Sequence, residues 1–129
     1  MNTSYQFGIE EEYFLADATT RSTPRRTVKA FHDAVRARMP RAERELLQSQ
    51  VEASTPPSAS LAEAREVLAD LRAGLAEIGQ AYGVLVFAAG THPIARWTRQ
   101  SNTQKDRYEG VVQNSPILGY TRHAATASL

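Results

Sequence analysis

Phe7-Gly-Ile-Glu-Glu-Glu-Tyr-Phe-Leu15 is the stretch on which the interpretation of this chain depends. Its apolar residues are β-branched, aromatic or large, which is typical of a β-strand. Side chains alternate between the two faces of a strand, so Glu10 and Glu12 point one way and Glu11 points the other way. Neighbouring carboxylates on a partly buried face repel one another, and burying them without a partner costs free energy. A divalent cation such as Mg²⁺, bound between them, would remove that cost. The alternative is an edge strand with three solvated glutamates.

The composition places limits on the class of protein. A length of 129 residues suits one small domain or a piece of a larger one. The net charge of +1 gives no indication of a nucleic-acid partner. The absence of cysteine excludes disulfides and thiolate metal sites, and it fits a reducing, cytoplasmic location. Residues 1–6 lack the apolar segment of a signal peptide, and no apolar run reaches the roughly 18 residues that span a bilayer.

Two helices are predicted from apolar periodicity. The first covers residues 25–39, with His32 towards its polar side. The second covers residues 61–81 and is the clearest element of the sequence, because its leucines recur at alternating steps of three and four. Ser60-Leu-Ala-Glu63 matches a capping box at its start, and Gly83 matches a C-cap at its end. Its apolar stripe predicts docking onto a sheet.

Two further strands are predicted after the first. Residues 45–55 alternate between a mostly apolar face and a polar face that carries Glu52. Residues 84–89 form a short apolar run between glycines, which favours a buried strand. Gly90-Thr-His-Pro93 follows that strand, where backbones often approach ligands. A simple turn with a hydrogen-bonding threonine is the alternative interpretation of this motif.

Five stretches together resemble the N-terminal portion of the type 2 glutamate–cysteine ligase family, also called carboxylate–amine ligases. They are Phe7-Gly-Ile-Glu-Glu-Glu-Tyr-Phe-Leu15, Gln50-Val-Glu-Ala-Ser-Thr-Pro-Pro57, the helix start at Ser60 and Glu63 with Leu68-x-x-Leu-Arg72, Gly90-Thr-His-Pro-Ile-Ala-Arg-Trp97, and Arg107-Tyr108. The resemblance implies an α+β, glutamine-synthetase-like fold, in which a largely antiparallel sheet carries helices on one face. It also implies ATP-dependent amide-bond formation through an acyl phosphate, with ATP and Mg²⁺ as cofactors and amino acids as substrates.

The resemblance also assigns roles to individual residues. Glu10, Glu12 and Glu52 match positions of metal-binding carboxylates, and they would converge if their two strands are neighbours. The residues expected to line the substrate site are Thr55, Thr91, His92 and Arg96. Arg107 is the catalytic candidate, because arginine binds a carboxylate or a phosphate in bidentate fashion. An ordinary surface charge is the alternative for Arg107.

The end of the chain departs from the family pattern. A His-x-His-x-Gly strand is expected next, but the sequence stops at Leu129 without it. We therefore expect residues 1–118 to be an incomplete part of a catalytic domain and residues 119–129 to be a disordered or aberrant tail. Weak ligase activity, an inactive remnant of the family and a small non-enzymatic binding module all stay open. Assembly into a homo-oligomer stays open as well.

Overall fold

The computed structural model describes residues 5–89, 91–96 and 99–104. Within these residues, four strands form one antiparallel sheet, and two helices accompany it. The elements in chain order are β1 (Glu10–Asp17), α1 (Val28–Arg38), β2 (Ala42–Arg44), β3 (Gln50–Ser54), α2 (Leu61–Tyr82) and β4 (Val84–Ala88). The strand order across the sheet is β2-β3-β1-β4, with β1 in the interior. The α+β prediction with an open antiparallel sheet is confirmed.

Both helices pack on the same face of the sheet, as expected. The core cluster joins alternate residues of β1 and β3 to the apolar stripes of α1 and α2. Leu15, Phe31, Val51 and Leu75 lie at its centre and are fully buried. Burying each such side chain contributes about 1.5–3 kcal/mol, so this packing fixes which face of β1 is turned away from the helices.

Helix α2 begins and ends where the local signals predict. The Ser60 hydroxyl accepts a hydrogen bond from the Glu63 backbone N–H at 3.2 Å, and Gly83 ends the helix with a left-handed φ of 64°. The first buried residue of α2 is Ala64, and Leu61 is 77% exposed. The apolar stripe predicted for this helix, which began at Leu61, therefore started one turn too early.

The prediction for His32 was wrong. Its side chain is buried at 3% exposure, and its Nε2 donates a hydrogen bond to the Gln48 carbonyl at 2.8 Å. The helix period alone placed it towards solvent, but the chain between β2 and β3 passes over that side of α1. Tertiary contact therefore decides its environment.

The predicted strand over residues 45–55 was too long. Only its second half forms β3, and a separate short strand, β2, precedes it. The intervening residues turn, and the Gln50 N–H donates to the Leu47 carbonyl at 2.9 Å. The predicted buried strand is β4, but β4 lies at an edge of the described sheet and Leu85 is 38% exposed. An apolar run does not reveal how many neighbours a strand has.

No helix in the described ranges is long and apolar enough to cross a membrane. Arg107 and the predicted tail, residues 119–129, lie outside the described residues.

Candidate functional site

Three glutamates occupy one line across three strands. In the pairing of β1 with β3, Glu12 lies directly opposite Glu52, and in the pairing of β2 with β3, Glu43 lies opposite the same Glu52. Directly opposed residues of an antiparallel pair have Cα atoms about 4.5–5.5 Å apart. We call Glu43, Glu52 and Glu12 the carboxylate row. Glu10 lies two residues from Glu12 on the same face, about 7 Å along β1.

The carboxylate row lies on the face of the sheet that the helices leave open. Tyr13, Val51 and Ala53 belong to the helix-covered core, so the alternate residues Glu12 and Glu52 point to the opposite side. Glu10 and Glu12 are exposed, and Glu52 is half-buried. The predicted division of the three adjacent glutamates of β1 between two faces therefore agrees with the sheet.

The chemistry of this face suits a hard cation, although its side chains do not enclose one. Among the described residues, no three carboxylate or imidazole side chains lie close enough together to hold a metal ion. Mg²⁺ usually takes only one or two protein carboxylates and completes its octahedron with water and phosphate oxygens. The register pair of Glu12 and Glu52 places two carboxylates at directly opposed positions, with Glu10 on the same face.

Glu11 points into a different environment. The Arg72 guanidinium of α2 donates two hydrogen bonds to its carboxylate, and the Tyr13 hydroxyl donates a third. The hydrogen bond from Arg72 is the main cause that lowers the pKa of Glu11. Burial, together with the bond to Glu11, raises the pKa of Tyr13 to about 12. This cluster fixes α2 to β1 directly behind the carboxylate row.

His92 lies over the open face next to the carboxylate row. Its ring packs edge-on against Phe14 and Phe87, with centroid distances of 5.8 and 5.4 Å. Its Nδ1 accepts hydrogen bonds from the N–H groups of Ile94 and Ala95 at 3.4 and 3.1 Å. Burial lowers the pKa of His92, and a polar contact with the Leu15 backbone partly offsets that effect. Burial favours the neutral ring, and because Nδ1 accepts two hydrogen bonds, the neutral ring carries its proton on Nε2.

The other predicted substrate residues occupy different settings. Thr55 is buried, and its hydroxyl accepts a hydrogen bond from the Ile9 N–H at 3.0 Å, which ties the start of β1 to the end of β3. Thr91 is exposed beside His92. Arg96 lines a cavity of about 250 Å³ together with Arg25 and Arg99. Their roles in substrate binding stay predictions.

Sequence reasoning missed Glu43, Arg25 and Arg99. Glu43 was missed because β2 has only three residues, which is too few for an alternation to be recognised. Arg25 and Arg99 are separated by more than seventy positions, and only the fold brings them to one cavity.

The fold and the open face define an α+β protein whose sheet presents a group of carboxylates to one side. The family described as glutamate–cysteine ligase family 2 matches residues 6–128. The chain belongs to this family, and the resemblance predicted from its sequence is confirmed.

Curated relatives show how much of the family's length the chain represents. A provisionally named glutamate–cysteine ligase 2 from Ectopseudomonas mendocina (strain ymp) is 42% identical over 110 residues, which are 84% of this chain and 29% of the relative. Its counterpart from Bradyrhizobium sp. (strain ORS 278) is 40% identical over 118 residues, which are 91% of this chain and 29% of the relative. The chain thus spans less than a third of the length of these relatives.

Proposed function

We propose that this chain is the N-terminal part of an ATP-dependent carboxylate–amine ligase of the glutamate–cysteine type. Family membership supports the reaction class, and the observation that carries the proposal is the register of Glu12 opposite Glu52 on an open sheet face. The proposal includes a glutamine-synthetase-like completion of the sheet by the remainder of such a protein. It also includes a cytoplasmic location, where ATP and free amino acids are available.

The proposed reaction joins a carboxylate to an amine in two displacements. A carboxylate oxygen of the first substrate attacks the γ-phosphorus of ATP, the bond to the β–γ bridging oxygen breaks, and ADP leaves. The amine of the second substrate then attacks the carbonyl carbon of the acyl phosphate, phosphate leaves, and the nitrogen loses a proton. The first step brings anions together, and Mg²⁺, when bound, offsets their charge.

The chain's own residues would position these reactants. Glu10, Glu12 and Glu52 are the proposed Mg²⁺ ligands. The aromatic surface of Phe14 and Phe87 under His92 borders them and would exclude water from one side. Thr55, Thr91 and Arg96 stay proposed substrate residues, and Arg107 stays the proposed partner of a substrate carboxylate or phosphate.

Metal binding by the 129-residue chain tests the site. Isothermal titration with Mg²⁺ and Mn²⁺ compares the unaltered chain with Glu12→Gln, and with Glu66→Gln as a control on the exposed side of α2. We expect Glu12→Gln to weaken binding by about tenfold or more, because it removes one of two charged ligands, and Glu66→Gln to leave it unchanged. Equal affinities in all three proteins would refute the site.

Ligase activity of the chain is tested separately from metal binding. An assay of ADP release and amide product, with ATP, glutamate and cysteine, compares the unaltered chain with Glu10→Gln and Glu12→Gln. We expect weak activity that both substitutions abolish. The same background signal in all three proteins would reject ligase activity for this chain, whatever the titration shows about metal binding.

A further inference from the structure

Three arginines line one small cavity whose described walls do not include the carboxylate row. Arg25 precedes α1, and Arg96 and Arg99 lie in the segment that follows β4. The polar side chains of Ser22, Thr23 and Gln100 complete the wall, and no described lining residue is acidic. The Ser22 carbonyl accepts a hydrogen bond from the Asp17 N–H at 2.8 Å, so this wall of the cavity lies at the end of β1.

The positive charge of this cavity has no acidic partner among the residues that the structure describes. None of the three arginines forms an ion pair with a carboxylate in the ranges that the structure describes. Four arginines elsewhere, by contrast, lie within 4.0 Å of a carboxylate oxygen. Three guanidinium groups at one concave surface, without an ion pair in the described ranges, produce a local positive potential that attracts anions.

The cavity is held by hydrogen bonds that are already formed. The Arg99 N–H donates to the Arg96 carbonyl at 2.9 Å, which sets the two arginines one tight turn apart. Gln100 is buried at 9% exposure; its Nε2 donates to the Thr23 hydroxyl at 3.0 Å, and its Oε1 accepts from the Ser49 hydroxyl at 2.7 Å. Gln100 therefore joins both walls of the cavity to the residue before β3, so the backbone that carries the arginines is already held in place.

Arg25 of the cavity lies two residues before the N-cap of α1. This N-cap, Thr27, makes no side-chain capping bond, and the first turn of α1 contains no acidic residue. Neither the N-cap side chain nor an acidic residue of the first turn therefore offsets the positive end of this helix, which lies two residues from Arg25.

We propose that this arginine cavity binds the oxyanion group of a small molecule, either a carboxylate or a phosphate. Arginine donates two parallel hydrogen bonds to both groups, and Ser22 and Thr23 offer further hydroxyl donors. The volume of about 250 Å³ lies below that of ordinary drug-sized pockets, so it suits a phosphate or an amino acid and not a whole nucleotide. The inference extends the prediction for Arg96 and depends neither on a bound metal nor on ligase activity.

Binding of simple anions to the full chain tests the proposal. Amide chemical shifts are followed at low ionic strength while inorganic phosphate, or glutamate in a parallel titration, is added up to about 20 mM. The variants are Arg25→Gln and Arg99→Gln, with Arg65→Gln as a control, because Arg65 is an exposed arginine on α2 away from the cavity. Far-ultraviolet circular dichroism and a thermal melt of each variant confirm that it is folded.

We expect at least one anion to bind and both cavity variants to weaken it by about tenfold, while Arg65→Gln leaves it unchanged. Tighter binding of phosphate would assign a phosphate site, and tighter binding of glutamate would assign a carboxylate site. Absence of binding for both anions would overturn the proposal, as would an equal loss in Arg65→Gln. A chain that binds anions without turnover would separate this inference from the proposed function.

Discussion

Gly79 of α2 lies at the closest approach of that helix to β4. A Cβ atom built on Gly79 would lie 2.5 Å from the Val84 carbonyl oxygen and 3.3 Å from Cγ2 of Val86. The first contact is far inside van der Waals distance and involves backbone, which has no rotamer to change. Val84 is buried and its strand is paired with β1, so Gly79→Ala must displace the helix or the strand.

Gly74 of the same helix provides a matched control. A Cβ atom there would lie 3.1 and 3.3 Å from Cε and Sδ of Met39, which form the flexible end of a side chain. Replacing glycine by alanine inside a helix stabilises it by about 1 kcal/mol. Gly74→Ala should retain about 0.5–1 kcal/mol of this gain, because Met39 can adjust its rotamer.

For Gly79→Ala the same gain is opposed by overpacking, which costs about 1–3 kcal/mol. A clash with backbone belongs in the upper part of that range, so the net loss should be about 1–2 kcal/mol. Urea unfolding of the two variants, followed by circular dichroism, should separate their free energies of unfolding by about 2 kcal/mol at an unchanged m-value. A Gly79→Ala protein as stable as Gly74→Ala would refute the close packing of α2 on β4.

Three further predictions use the same unfolding measurement. Gly83→Ala should lower the free energy of unfolding by about 1 kcal/mol, because the φ of 64° disfavours a Cβ atom; no loss would contradict the C-cap. Burial lowers the pKa of His92, so the unfolded chain binds more protons than the folded chain as the pH falls below 6.5, and the free energy of unfolding should decrease with the pH. His92→Gln should reduce this dependence of the free energy of unfolding on pH, and the same dependence in both proteins would contradict the prediction. Glu12→Gln should raise stability by about 0.2–1 kcal/mol without metal by removing repulsion from Glu52; a loss would contradict the opposed register.

The parts of the fold that the sequence predicted correctly depend on neighbours in the chain. The capping serine, the alternating steps of leucine and Gly83 lie within or next to α2, and they define both of its ends to within one residue. In the same way, strict alternation along β1 separates Glu11 from Glu10 and Glu12 without knowledge of any other strand.

The parts that were wrong or missed depend on residues distant in the sequence. His32 is buried by a connection that the helix period does not contain, and β4 lies at an edge of the described sheet because of pairing that its apolar run does not encode. The position of Glu43 opposite Glu52 follows from the register of β2 with β3. The arginine cavity follows from the contact between two segments that are distant in the sequence. These features follow from tertiary arrangement, which a single sequence specifies only indirectly.

The three consecutive glutamates of β1 have different charged neighbours. Glu11 receives its counter-charge from within the protein, because Arg72 crosses from α2 to bind it. Glu12 lies directly opposite another carboxylate, Glu52, and like charges at directly opposed positions of a sheet repel one another. Because the buried core fixes the register, Glu12 and Glu52 stay directly opposed, and the proposed binding of a divalent cation at this face would reduce the repulsion between them.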